Sequence, residues 1–101
     1  MLRHIVMFKL KATEKTLEEN VREAAAKAQR LVDLVPSLAA MSVVTNSPEC
    51  DSTNYDIALI CDFEDKAALD AYQNHPDHKA FGAYISTVRA EGGRACIDFE
   101  I

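Results

Sequence analysis

Leu2-Arg3-His4-Ile5-Val6-Met7-Phe8-Lys9-Leu10 is the stretch on which the fold turns. It alternates with a period of two, placing Leu2, His4, Val6 and Phe8 on one side and Arg3, Ile5, Met7 and Lys9 on the other, which predicts a strand. Both sides carry apolar side chains, so each needs cover. After Thr13 the period changes: Leu17, Val21, Ala24, Ala25, Ala28, Leu31, Val32 and Val35 recur at helical spacing until Pro36 stops the run. Ala24, Ala25 and Ala28 keep that stripe thin, which either lets the helix approach a sheet closely or leaves room for something else. Ala40 to Thr45 predicts a second strand. A polar connector, 46–54, leads to a third strand over 55–63. Asp65 is placed to cap a helix running to Tyr72, and Asn74-His75-Pro76 interrupts it and starts another with Pro76 in its first turn. Gly92-Gly93 is expected to break the chain before a terminal strand in which Ala95, Ile97, Phe99 and Ile101 alternate with Arg94, Cys96, Asp98 and Glu100.

The resulting order, β-α-β-β-α-β, predicts an α+β fold: a ferredoxin-like protomer with an antiparallel sheet and helices on one face. The helices cover that face only. Ile5, Met7, Val44, Ala58 and Ile60 decorate the other, where an antiparallel sheet facing water would be polar. The expectation is a homodimer joined through the sheet face, pairing two protomers into a dimeric α/β barrel.

With 101 residues the chain has the size of a single domain, 1–101. Eleven Lys and Arg against sixteen Asp and Glu give a net charge of −5, which disfavours phosphate backbones and anionic lipid, so neither nucleic acid nor membrane is an expected partner. Three cysteines, Cys50, Cys61 and Cys96, are odd in number and form no C-x-x-C pair. Cys61 and Cys96 sit in apolar runs as small hydrophobes, and a reducing cytoplasm is the expected compartment. Arg3, His4, Lys9 and Lys11 interrupt the opening residues, so no signal peptide is expected.

The densest polar cluster is Tyr72-Gln73-Asn74-His75-Pro76-Asp77-His78. His78 shares a helix face with Phe81, Gly82 and Ile85. A titratable imidazole there is either a satisfied core residue or a pocket acid or base. His4 projects with Val6 and Phe8, so two imidazoles and the Tyr72 phenol can converge beneath the helices. His75-x-x-His78 has the spacing of a shared cation, but spacing places no third ligand, and no metal or other cofactor is expected. His75 also suits a helix cap. Asp56, Asp62, Asp98 and Glu100 fall at strand ends or opposite the main apolar sets and read as solvated or dimer-contact charges. No nucleophile motif or phosphate-cradling loop is present.

These segments together resemble the stress-responsive α/β-barrel domain family over almost the whole chain. The resemblance rests on Arg3-His4-Ile5-Val6-Met7-Phe8-Lys9, Val35-Pro36, Asn54-Tyr55-Asp56, Phe63-Glu64-Asp65, Leu69-Asp70-Ala71-Tyr72, His75-Pro76-Asp77-His78 and Ile97-Asp98-Phe99. It implies a pocket between sheet and helices in each protomer, binding a small, largely apolar or aromatic molecule. By analogy with plant polyketide cyclases of the family, it implies His78 as base or acid, Tyr72 orienting it and His4 as a polar lining residue. Val6, Phe8, Leu59, Leu69 and Phe81 would be the apolar walls. The chain departs from the cyclases where their bulky helix residues fall on Ala24, Ala25 and Ala28, which points away from their substrate. Two other readings stand beside this one: a durable non-catalytic, stress-associated dimer, and a haem-degrading monooxygenase-like or isomerase-like member of the wider superfamily.

Overall fold

The computed structural model describes all 101 residues. Its elements are β1 (Leu2–Leu10), α1 (Leu17–Gln29), α2 (Leu31–Leu34), β2 (Ala40–Thr45), β3 (Ile57–Phe63), α3 (Lys66–Asn74), α4 (Pro76–Val88) and β4 (Arg89–Glu100). The strands form one antiparallel sheet in the order β2-β3-β1-β4, so β1 and β3 are central and β2 and β4 are edges. This is the ferredoxin-like arrangement expected from the order of periodicities.

Three of the four helices, α1, α3 and α4, begin where a side chain satisfies a free backbone amide. Thr16 and Glu19 form a reciprocal capping box at the start of α1. Asp65 accepts from the Ala68 amide at the start of α3, and His75 accepts from the Asp77 amide ahead of α4, with Pro76 at its first position. The long predicted first helix is interrupted at Arg30, which divides α1 from α2. Ala24 and Ala28 are fully buried, so the small residues of the stripe close the gap to the sheet. The core fills that layer: Val6, Phe8, Leu10, Ile57, Leu59 and Phe63 from the strands meet Leu31, Leu69, Phe81 and Ile85 from the helices.

Two sequence expectations are corrected. Ile57, and not Tyr55, opens β3, because Tyr55 still belongs to the exposed connector. Gly92-Gly93 does not separate β4 from what precedes it. The ladder to β1 jumps from Phe8–Arg94 to Leu10–Arg89, and residues 90–93 bulge out opposite Lys9 within one strand. Both glycines serve the bulge. Gly92 has φ 69°, and a Cβ on Gly93 would lie 2.7 Å from the Lys9 carbonyl oxygen.

The face of the sheet away from the helices carries Ile5, Met7, Ala58 and Ile60, all half-buried, together with the exposed Val44, Ile97 and Phe99. Ile97 keeps 60% of its surface in solvent. No helix is long and apolar enough to cross a membrane.

Candidate active site

β1 sends His4, Val6 and Phe8 beneath the helices, and α4 lays His78, Phe81 and Ile85 over them. Together with Leu59, Tyr72 and Gly82 these residues line a cavity of about 150 Å³. The sequence-predicted residues His78, Tyr72, His4, Val6, Phe8, Leu59 and Phe81 thus meet around one space. Leu69 does not line it. It sits on α3, two per cent exposed, packed into the core beside the cavity. The wall also contains Gln73, Arg89 and Arg94, which sequence reasoning missed. Two roomier hollows, of about 210 Å³ between α1, α2 and α4 and about 750 Å³ between α1 and the 46–56 connector, are more open and hold no histidine. Titratable side chains in an apolar recess make the smaller cavity the chemical candidate.

His78 is held by two contacts. Its ring lies against the Tyr72 ring, with centroids 4.4 Å apart and planes at 53°, and its Nδ1 lies 3.3 Å from the Gln73 carbonyl oxygen. A carbonyl only accepts, so Nδ1 carries the proton and a neutral ring has its lone pair at Nε2. Burial pulls the imidazole below its ordinary value. The Gln73 contact opposes this, and the neighbouring His4 and Arg94 add to it. At neutral pH His78 is therefore an uncharged base.

Tyr72 packs its ring against that of His78, with the Cys61 thiol neighbouring its phenol. Burial raises the Tyr72 phenol and pushes the Cys61 thiol up to about 12, so both stay protonated. Phe63 backs the Tyr72 ring at 5.1 Å.

His4 is buried, and its Nδ1 lies 2.5 Å from Asp98 Oδ1. Asp98 is exposed, in keeping with its reading as a solvated charge, but it also partners the buried His4. The β1–β4 register sets Asp98 opposite His4, and directly paired residues project to the same face. By the same register Arg94 and Cys96 face the helices, and the apolar set Ala95, Ile97 and Phe99 faces outward. Cys96, expected as a small hydrophobe, is exposed because no helix reaches over it, and burial and the Asp98 charge raise its thiol. His4, Cys96 and Asp98 bring three ligand-type atoms within 4.8 Å of one another. Asp98 is already committed to the His4 ring. His75 faces α4's first turn as its cap and is not among the residues lining the cavity.

This combination of order, register and site has a family. The chain belongs to the stress responsive A/B barrel domain family, whose model matches residues 2–101. Crystal structures of similar proteins extend the likeness to three dimensions. A dimeric ferredoxin-like protein of unknown function from Jannaschia sp. CCS1 is 30% identical, with TM-score 0.79 over 99% of this chain and 98% of that one. A dimeric ferredoxin-like protein of unknown function from Thermobifida fusca is 26% identical, with TM-score 0.81 over 99% and 90%. A stress responsive A/B barrel family protein from Mesorhizobium loti is 26% identical, with TM-score 0.76 over 99% and 95%. No curated protein matches the chain by sequence.

Proposed function

We propose that this protein is a homodimeric α/β barrel in which each protomer binds a small molecule between sheet and helices and transfers a proton through His78 Nε2. The observation that carries the proposal is the state of His78: half-buried, neutral, held by Gln73 and Tyr72, and lining a cavity whose inner walls are apolar. A general base works best when its proton affinity lies near the operating pH and its lone pair faces the substrate. His4, held by Asp98, supplies a second polar group in the same wall.

The step is abstraction of a proton from carbon next to a carbonyl. The C–H bond breaks, the proton moves to Nε2, and the electron pair passes to the carbonyl oxygen as an enolate. Return of a proton from His78 or solvent closes the cycle. Polar groups around the cavity stabilise the charge as it develops. A cavity of about 150 Å³ suits a body the size of a benzene ring better than the tetrapyrrole of a haem-based reading.

Dimerisation rests on the apolar outer face, and two of the similar structures are described as dimeric. Pairing through that face leaves the cavities on the opposite side of each sheet.

Incubating the dimer in D2O with a panel of small ketones and keto acids, and following loss of α-proton signals by NMR, tests the reading. Wild type is expected to accelerate exchange of at least one probe, and His78→Gln to return it to background with mass and circular dichroism unchanged. Equal exchange with wild type and His78→Gln would overturn the assignment of the base.

A further inference from the structure

The residues lining the cavity include two arginines, Arg89 and Arg94, and no Asp or Glu. Of the nine other Lys and Arg, five have a carboxylate partner: Arg3 with Asp62, Lys9 with Asp56, Lys15 with Glu23, Arg22 with Glu18 and Lys66 with Asp70. Neither cavity arginine has such a partner, in a chain whose acids outnumber its bases by sixteen to eleven. Asp98, the acid two ladder positions from Arg94, is occupied by His4. The side chain beside Arg94 on the same face is Cys96, whose raised thiol stays uncharged and neutralises nothing.

The bulge in β4 is what gathers these two charges. In a regular ladder, residues five apart in a strand point to opposite faces. Here residues 90–93 loop out, so Arg94 pairs with Phe8 while Arg89 pairs with Leu10, and both stand on the helix side of the sheet. Gly92 and Gly93 allow this backbone, one by its positive φ and the other by close approach to Lys9. Arg89 is half-buried and Arg94 is exposed, so the charged part of the wall is its solvent-facing rim. The interior is Val6, Phe8, Leu59 and Phe81.

We infer that the molecule taken into this cavity is a compact organic carboxylate, its acid group bound at the rim by Arg89 and Arg94 and its apolar body set inward toward His78. This rests on the reading of the cavity as a ligand site and adds the charge of the ligand. A guanidinium offers a planar fork of donors that matches a carboxylate. The volume of about 150 Å³ leaves room for a short chain or one ring beside the acid group. The Arg94 charge opposes protonation of His78, and a positive rim favours an enolate formed beside it.

The test compares 4-oxopentanoate with 4-oxopentanamide, two probes of nearly the same shape that differ in charge. Binding is followed by shifts of the His78 ring resonances, and proton transfer by α-deuterium exchange. Wild type is expected to favour the carboxylate by roughly 10- to 100-fold in affinity, the range of one or two charge-assisted hydrogen bonds. In Arg89→Gln and Arg94→Gln that preference should fall toward one, and with 4-phosphonobutan-2-one the wild-type protein should bind less tightly than with the carboxylate. Equal handling of acid and amide by wild type overturns the charge inference alone and leaves the cavity reading intact. A preference that persists unchanged in both arginine variants also overturns it. A tighter phosphonate replaces the carboxylate by a phosphate-type ligand. If neither 4-oxopentanoate nor 4-oxopentanamide shifts His78 or exchanges, the cavity reading falls with the inference.

Discussion

Alternate residues of the same strands build the two faces of the sheet, yet the faces differ in cover and in content. Along β1, His4, Val6, Phe8 and Leu10 are buried beneath helices, while Ile5 and Met7 between them are half-exposed. Across β4 the contrast reverses in polarity: Arg94, Cys96 and Asp98 face the helices, and Ile97 and Phe99 face out. α1 lies across β1 to β3 and α3 lies over β3, leaving β4 the least covered strand. Polar groups therefore collect on the helix face where the cover ends, and that is where the cavity meets solvent. The bare face has apolar surface and no cover from its own chain, which is the signature of a surface that another molecule completes. Under the proposed function, chemistry belongs to the face that is incompletely closed and association to the face that is not closed at all.

The contrast can be broken most forcefully at Ile97. Ile97→Asp puts a charge into the proposed dimer contact while touching nothing in the protomer core, and the dimer dissociation constant is expected to rise roughly 100-fold or more. Sedimentation equilibrium across micromolar concentrations reads this, and an unchanged dimer would show that the bare face is not the contact.

A neighbouring pair sharpens the comparison. Leu59 and Ile60 are adjacent in β3 and point to opposite faces. Leu59→Ala should lower protomer stability by about 2–5 kcal/mol in urea unfolding, the cost of a cavity in a packed core. Ile60→Ala should act chiefly through the dimer, so its effect should grow with protein concentration. Equal, concentration-independent losses would contradict the assignment of faces.

Acid probes the helix face alone. His78 has a folded pKa below its unfolded one, so the unfolded chain binds the extra proton first. The stability tied to its neutral form is fully present above about pH 6.5 and is lost as pH falls through the lower folded value. His78→Gln should flatten that part of the stability profile. The smallest effect is at a cap remote from both faces: Asp65→Ala frees the Ala68 amide and should cost about 1 kcal/mol without altering assembly or proton transfer.

Much of this was legible in the sequence where the cause is local. Changes of period placed the strands and helices, Asp65 and His75-Pro76 marked helix starts, and Ile5, Met7 and Ile60 announced a second apolar face. What escaped was register. Nothing near Asp98 says that it will lie beside His4, ninety-four positions earlier, because only the β1–β4 pairing makes them neighbours. Taking Gly92-Gly93 as a break hid the bulge, and with it the placement of Arg89 and Arg94 in the cavity wall. Pairing Phe8 with Arg94 across an assumed antiparallel ladder would have found one of the two. The family resemblance assigns Leu69 to the apolar wall, but its position on α3 directs it into the core.

The central claim is that His78 is a neutral base with its lone pair at Nε2. Long-range proton–nitrogen NMR of the imidazole rings, recorded through a pH titration of the dimer and assigned with His78→Gln, addresses it directly. The expected spectrum at neutral pH has the His78 proton on Nδ1 and an unprotonated Nε2, with a titration midpoint below the ordinary imidazole value of about 6.5. A proton on Nε2 at neutral pH, or a midpoint above that value, would contradict it.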